Sequence, residues 1–182
     1  MPIEANYETY YGMKLDHYNH SWGGVNYTTF LLTEFPDSNL VSTVTTKTTT
    51  MDFIYPRKIG QNDIDGVAEG HFTLYNSESS GTAITAYTIT LYKTADIPTS
   101  MTALGSYTNT LSSDNFITAY NYLTLPIYMD ITHDPDNPSL ENDEKLVLRI
   151  SYTSMGSNVC ICHANDSTSV DIKIKIPFAP TG

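Results

Sequence analysis

From Val170 to Ile176 every second residue is apolar: Val170, Ile172, Ile174 and Ile176 alternate with Asp171, Lys173 and Lys175. Successive side chains of a strand point to opposite faces, so this period of two predicts one dry face and one wet face. Residues 145–153 repeat the pattern, with Leu146, Leu148, Ile150 and Tyr152 on one side and Val147, Arg149 and Ser151 on the other. Residues 158–163 make a shorter β run between the two. A dry strand face must be covered by a second apolar layer, so a chain ending in three such strands is held to a sheet-on-sheet core. Val170 to Ile176 are expected to meet the opposite sheet on their apolar side, while Arg149, Lys173 and Lys175 face water.

The rest of the chain supports an all-β fold. Only 16% of the 182 residues are charged, against about 25% in ordinary soluble domains. Thr, Ser, Asn and 14 tyrosines carry the polarity instead, and Thr and Tyr favour pleated surfaces. Further strands are expected over 28–33, 41–55, 71–75, 83–93, 104–111 and 120–131, with Pro56 ending one. Residues 57–69 read as a loop and 76–81 as a hairpin turn. Pro126 cannot donate to a ladder, which marks its strand as an edge or a crossing between sheets. With about eight short strands and no amphipathic helix, the pattern predicts a two-sheet antiparallel β-sandwich of jelly-roll type. Residues 1–38, aromatic and without a clean period, read as an extended N-terminal arm or a lid, and 39–182 as the sandwich domain. In the Thr-rich run, Val44, Thr46, Thr48 and Thr50 share a face that is expected to be exposed or lightly covered.

Charge and motifs exclude several classes of function. Nine basic against 20 acidic residues argue against nucleic acid and against anionic membranes as partners. No apolar run is long enough to span a bilayer, and the N-terminus lacks the marks of a signal peptide. Cys160 and Cys162, at alternate strand positions, stand about 6–7 Å apart, too far for an unstrained disulfide; they read as two inert buried thiols. Asp130, Asp134, Asp136, Asn137, Glu141, Asp143 and Glu144 supply hard oxygens of the calcium type, but Pro138 and a missing central glycine break the EF-hand spacing. His17 and His20, and separately Cys160, Cys162 and His163, lack the geometry that aims zinc ligands together. Neither a nucleophile motif nor a phosphate-cradling glycine loop is present, so no cofactor is expected; carboxylate pairs of the glycoside-hydrolase kind are set in space and stay open, though no Asp or Glu is marked for one. Tyr18, Trp22 and Tyr27 form a stretch on which sugars could stack.

Residues 144–150, the short strand ending at His163 with Ala164, Asn165 and Asp166 after it, and the closing phrase Ile176, Pro177, Phe178 together resemble tailed-phage virion accessory proteins. Those are β-sandwich head decoration, cement or head-fibre proteins. Ala164-Asn165 stands where they often carry Asp-Pro, and His133-Asp134-Pro135 occurs upstream. The resemblance implies a non-enzymatic virion structural protein, made in the host cytoplasm and bound to the major capsid protein lattice at the capsid surface. A homotrimer suits the three-fold sites of capsids. The expected contacts are Tyr7, Tyr10, Tyr11, Tyr18 and Trp22 of the arm, since aromatics anchor interfaces. The alternative is a host-recognition or carbohydrate-binding module of a fibre or tail.

Overall fold

The structure, a computed structural model, describes residues 6–22, 25–34, 45–46, 48–55, 63–95, 100–112, 115–132, 140–156, 159–162 and 172–179. Among these no helix occurs. One layer holds β9 (Tyr122–Ile131), β5 (Gly66–Asn76), β12 (Ile172–Phe178) and the first part of β1 (Asn6–Trp22), in that order. The other holds β7 (Thr102–Thr110), β6 (Thr82–Thr94), β10 (Lys145–Ser154), β4 (Thr50–Ile54) and β2 (Val25–Thr33). Three short strands complete the set: β3 (Thr45–Thr46), β8 (Phe116–Ile117) and β11 (Val159–Cys162). β3 pairs with β11, β11 with β5, and β8 with β6.

The pairing is nested. Taken among the eight strands β1, β4, β5, β6, β7, β9, β10 and β12, the first pairs with the last, the second with the seventh, the third with the sixth and the fourth with the fifth. All four pairs are antiparallel, and this is the jelly-roll arrangement of a two-sheet sandwich. Seven of these eight fall in stretches expected to be strands, as do β2, β3 and β11, whereas β1 lies in the presumed arm or lid and β8 in a stretch read as a connection. β5 is also longer than expected, because it pairs with β9 from Gly66 to Tyr75 and so absorbs the end of the presumed 57–69 loop.

The two layers are hydrogen-bonded along one side. β1 runs beside β12 from Asn6 to Tyr11, then beside β2 from Tyr11 onward, so it passes from one layer to the other. On the opposite side the end strands β7 and β9 close on each other at Gly105, where an added Cβ would lie 2.8 Å from Ile131 and 3.1 Å from the Asp130 carbonyl oxygen.

Between the layers lies the core that the closing strands demanded. Ile172, Ile174 and Ile176 are fully buried, as are Leu146, Leu148 and Ile150. They meet Phe53 of β4, Phe72 and Leu74 of β5, and Ile84, Ile89 and Leu91 of β6 in one cluster. Phe72 and Tyr87 touch edge to face across the layers, with ring centroids 5.2 Å apart. On the outer side Lys175 is exposed and Lys173 half-buried, whereas Arg149 is held by Asp52 through Nε–Oδ1 and Nη2–Oδ2 contacts of 2.6 and 2.8 Å. β9 pairs only with β5 among the described strands, which is the edge position that Pro126 predicts. Thr48 is half-buried and Thr50 exposed on the Thr-rich run. Val44 and residues 133–139 and 163–171, Val170 among them, lie outside the described residues.

Candidate interaction surfaces

β1 carries all five aromatic residues expected to make contacts. Its first part alternates like any strand, so Tyr7 and Tyr11 lie on the outer face and Tyr10 on the inner one. Tyr7, opposite Pro177, is 49% exposed. Tyr10, opposite Ile174, is buried: its ring meets Tyr55 edge-on at 5.2 Å, and its hydroxyl donates to the Glu8 carboxylate at 2.6 Å. Burial, then the Glu8 bond, pushes the Tyr10 phenol far above its ordinary range. Tyr55 in turn donates to Glu34. Tyr10 therefore belongs to a phenol–carboxylate lock that seats β1 on the sandwich, and not to a surface patch of this chain. Tyr18 and Trp22 lie farther along β1, with Trp22 opposite Val25.

Two surfaces stand out by chemistry. The first is the outer face of the β9–β5–β12–β1 layer. Register sets Tyr11, Lys173, His71 and Pro126 side by side in one row, and Thr9, Lys175, Glu69 and Tyr128 in the next. Around them lies a groove of about 390 Å³, lined by Glu69, His71, Pro126, Tyr128, Lys173 and Lys175 with the backbone of Gly70 and Ile127. Lys175 reaches Glu69 at 3.4 Å, and the Lys173 ammonium lies 5.8 Å from the centre of the Tyr11 ring. Farther along the same face Thr73 and Thr124 share a hydrogen bond of 3.0 Å, and Tyr75 leans on Tyr122 with centroids 4.8 Å apart.

The second surface is the end of the sandwich built from the β5–β6, β7–β9 and β10–β11 connections. Of the six exposed large apolar side chains described, four lie here: Phe116 at 54%, Tyr120 at 61%, Tyr122 at 46% and Met155 at 80% exposure. Backbone pairing brings three of them to this end, and Tyr122, beside Tyr75, begins β9 there. Phe116 is opposite Ala83, the Met155 N–H donates to the Ala83 carbonyl at 2.9 Å, and the Tyr120 N–H donates to Glu78 at 3.2 Å. Behind them the buried Asn76 amide donates to the carbonyls of Ser80, Ile117 and Thr118 and accepts the Glu78 N–H. Tyr120 has φ +52°, a left-handed conformation that costs a bulky residue about 1 kcal/mol or more and persists only where the surroundings fix it.

Phe116, Tyr120, Tyr122 and Met155 were not singled out from sequence. The available signal was local: Phe116 follows Asn115, Tyr122 follows Asn121, and Met155 stands between Ser154 and Gly156. Large apolar residues inside turn-forming stretches have nothing of their own chain to bury against.

Reactive side chains are few. Cys160 and Cys162 are free and buried, as expected, and burial, then Cys160, pushes the Cys162 thiol up to about 12. Among the described residues no three His, Cys, Asp or Glu side chains stand close enough to hold a metal ion. Asp134, Asp136 and Asn137 of the calcium-type loop, and His133 and His163, lie outside the described residues. Glu144, at the end of that loop, holds Lys93 at 3.1 Å and accepts the Glu141 N–H at 2.9 Å, so it acts as a structural anchor.

The chain matches no family model and no curated protein. Among solved structures it is similar to a CocE/NonD family hydrolase from Staphylococcus aureus, with a TM-score of 0.58 and 10% identity over 96% of this chain. It spans only 37% of that protein's length. It is also aligned with the Eiger TNF of S. frugiperda at a TM-score of 0.35 and 10% identity, covering 99% of this chain and 96% of that one. With the hydrolase, at such low identity, the chain shares a fold.

Proposed function

We propose that this chain is a non-catalytic adhesion subunit, a virion decoration or cement protein that binds the major capsid protein lattice. The observation that carries the proposal is the aromatic loop end, where Phe116, Tyr120, Tyr122 and Met155 are exposed together. Soluble monomers rarely leave such side chains clustered in water, and clusters of this kind are spent at interfaces. Asn76 ties the stretch that bears Phe116 and Tyr120, and the Met155 N–H is held by Ala83, so little conformational freedom is lost on docking. Each copy bound across neighbouring lattice subunits stabilises the shell by mass action, and a homotrimer would present three such ends to a three-fold site. Tyr7 and Tyr11, on a different face, are left for contacts between copies or with adjacent lattice subunits.

The test uses capsids assembled without the chain, to which purified protein is added back and co-sedimented. Phe116→Ser combined with Tyr120→Ser is expected to weaken binding by about tenfold or more, as loss of anchoring aromatics does. Tyr7→Ser combined with Tyr11→Ser is expected to act less. A folded Phe116→Ser/Tyr120→Ser protein that binds as tightly as the parent sinks the assignment of the loop end.

A further inference from the structure

We propose that the groove over β5, β9 and β12 binds a carboxylate-bearing saccharide, a uronic or sialic acid unit. The inference stands on a different surface from the loop end and does not depend on it.

Charge is the first argument. The chain has a formal charge of −11, and its described cations are largely committed. Lys93, Arg149 and Lys175 stand 3.1, 2.6 and 3.4 Å from carboxylate oxygens, and Lys145 is buried. Lys173 differs. Among the described residues its ammonium has no carboxylate within ion-pair reach, and it borders the groove from beside the Tyr11 ring. An unmatched cation inside a concave site of an acidic protein is a place for an anion.

The anion's type follows from its neighbours. Glu69 lies in the same groove, so a doubly charged phosphate would meet repulsion there, while a single carboxylate can sit on Lys173 away from it. The remaining lining suits hydroxyls, which both donate and accept. Lys175 donates, Glu69 accepts, and His71 and the Tyr128 hydroxyl do both. Tyr128 is 59% exposed and, with Pro126, offers a flat apolar flank against which the C–H face of a sugar ring can lie. A volume of about 390 Å³ is within the usual range for small-molecule sites. A peptide strand cannot be added to β5 or β12, which have neighbours on both edges; only the outer edge of β9 is open to one.

The experiment is a titration of the whole chain followed by protein NMR, with sodium glucuronate, N-acetylneuraminate, glucose, acetate and inorganic phosphate as probes. Saturable binding of glucuronate or N-acetylneuraminate, with a dissociation constant of about 1 mM or below, is expected. Whichever of the two binds more tightly names the source of the carboxylate. Glucose and acetate, each holding half of the recognised chemistry, should bind about tenfold more weakly. Lys173→Gln should lose about tenfold for the acid sugar, and Phe116→Ser nothing. The proposal is overturned if acetate or phosphate binds as well as the acid sugars, if glucose does, if Lys173→Gln leaves the affinity unchanged, or if no probe saturates.

Discussion

Replacing Tyr87 with Phe removes a single oxygen from the seam between the two layers, and its cost follows from the local geometry. The Tyr87 hydroxyl donates to the Pro126 carbonyl at 2.8 Å and accepts from the Asn109 side-chain amide at 3.3 Å. Its ring, 1% exposed, is fixed edge-on between Phe72 and Tyr107 at 5.2 and 5.8 Å. Phenylalanine keeps the ring, so no cavity term arises. What is lost is one net hydrogen bond, about 1 kcal/mol, plus a share of the penalty for an orphaned carbonyl on an edge strand that no further strand serves. Asn109 is half-exposed and can turn to water, so its side adds little. The sum is about 2 kcal/mol, or a fall in Tm of about 4–8 °C for a chain of this length. Urea and thermal unfolding of Tyr87→Phe measure it, with Asn109→Ala as the control expected below about 0.5 kcal/mol. If Tyr87→Phe costs no more than that control, water reaches the Pro126 carbonyl and the layers are not sealed by this bond. Burial also pushes the Tyr87 hydroxyl up to about 12, so it remains a donor through mildly alkaline conditions.

Three further outcomes are expected. Arg149 and Asp52 make a two-pronged contact beneath the Tyr92 ring, which lies 5.2 Å from the guanidinium, but both side chains are about a third exposed. A double-mutant cycle on Arg149→Ala and Asp52→Ala should give a coupling near 1 kcal/mol, and Arg149→Lys should recover little of it; a coupling of zero would show the pair to be ornamental. The Cys162 thiol, pushed up to about 12 by burial, ionises more readily in the unfolded chain. Stability from this group is therefore whole below its ordinary value of 9.0 and drains away as pH rises toward about 12. Urea midpoints should fall across that window, and thiol reagents at neutral pH should react only after unfolding; prompt labelling of the native protein would contradict the burial. Gly70→Ala should be among the most damaging small substitutions, by about 3 kcal/mol or more, because its Cβ would lie 1.9 Å from the Lys173 carbonyl oxygen. Circular dichroism and urea unfolding check it, and a near-neutral result would mean that β5 and β12 can part without loss.

Strand periodicity carried the fold where the two faces of a strand differ in polarity. Residues 172–176 and 146–152 announce their inner faces, and the structure buries those residues as expected. The N-terminal strand escaped the same reading for a specific reason. Opposite the buried Ile174 and Ile176 stand Tyr10 and Glu8, with Gly12 against the Phe53 ring, so the inner side of β1 is a phenol, a carboxylate and a bare backbone. Glu8 is compatible with that place only because Tyr10 donates to it, a pairing that no hydropathy pattern can display. The outer residues Tyr7, Thr9 and Tyr11 are no more polar than the inner ones, so the alternation is present in space but silent in sequence.

The surfaces were less legible than the fold because each is assembled across strands distant in the chain. Lys173 and Lys175 were expected to face water, and they do so in part, yet their meaning comes from His71, Glu69, Pro126 and Tyr128, which register alone sets beside them. One step of slippage of β12 against β5 would send Lys173 and Lys175 to the core and bring Ile172 and Ile174 outward, which the apolar side of β12 forbids. The burial that fixes the fold thereby also fixes the composition of the groove. A variant that loosens this register, such as Gly70→Ala, should for that reason lose groove and stability together, whereas Lys173→Gln should lose the groove's affinity and leave stability within about 0.5 kcal/mol.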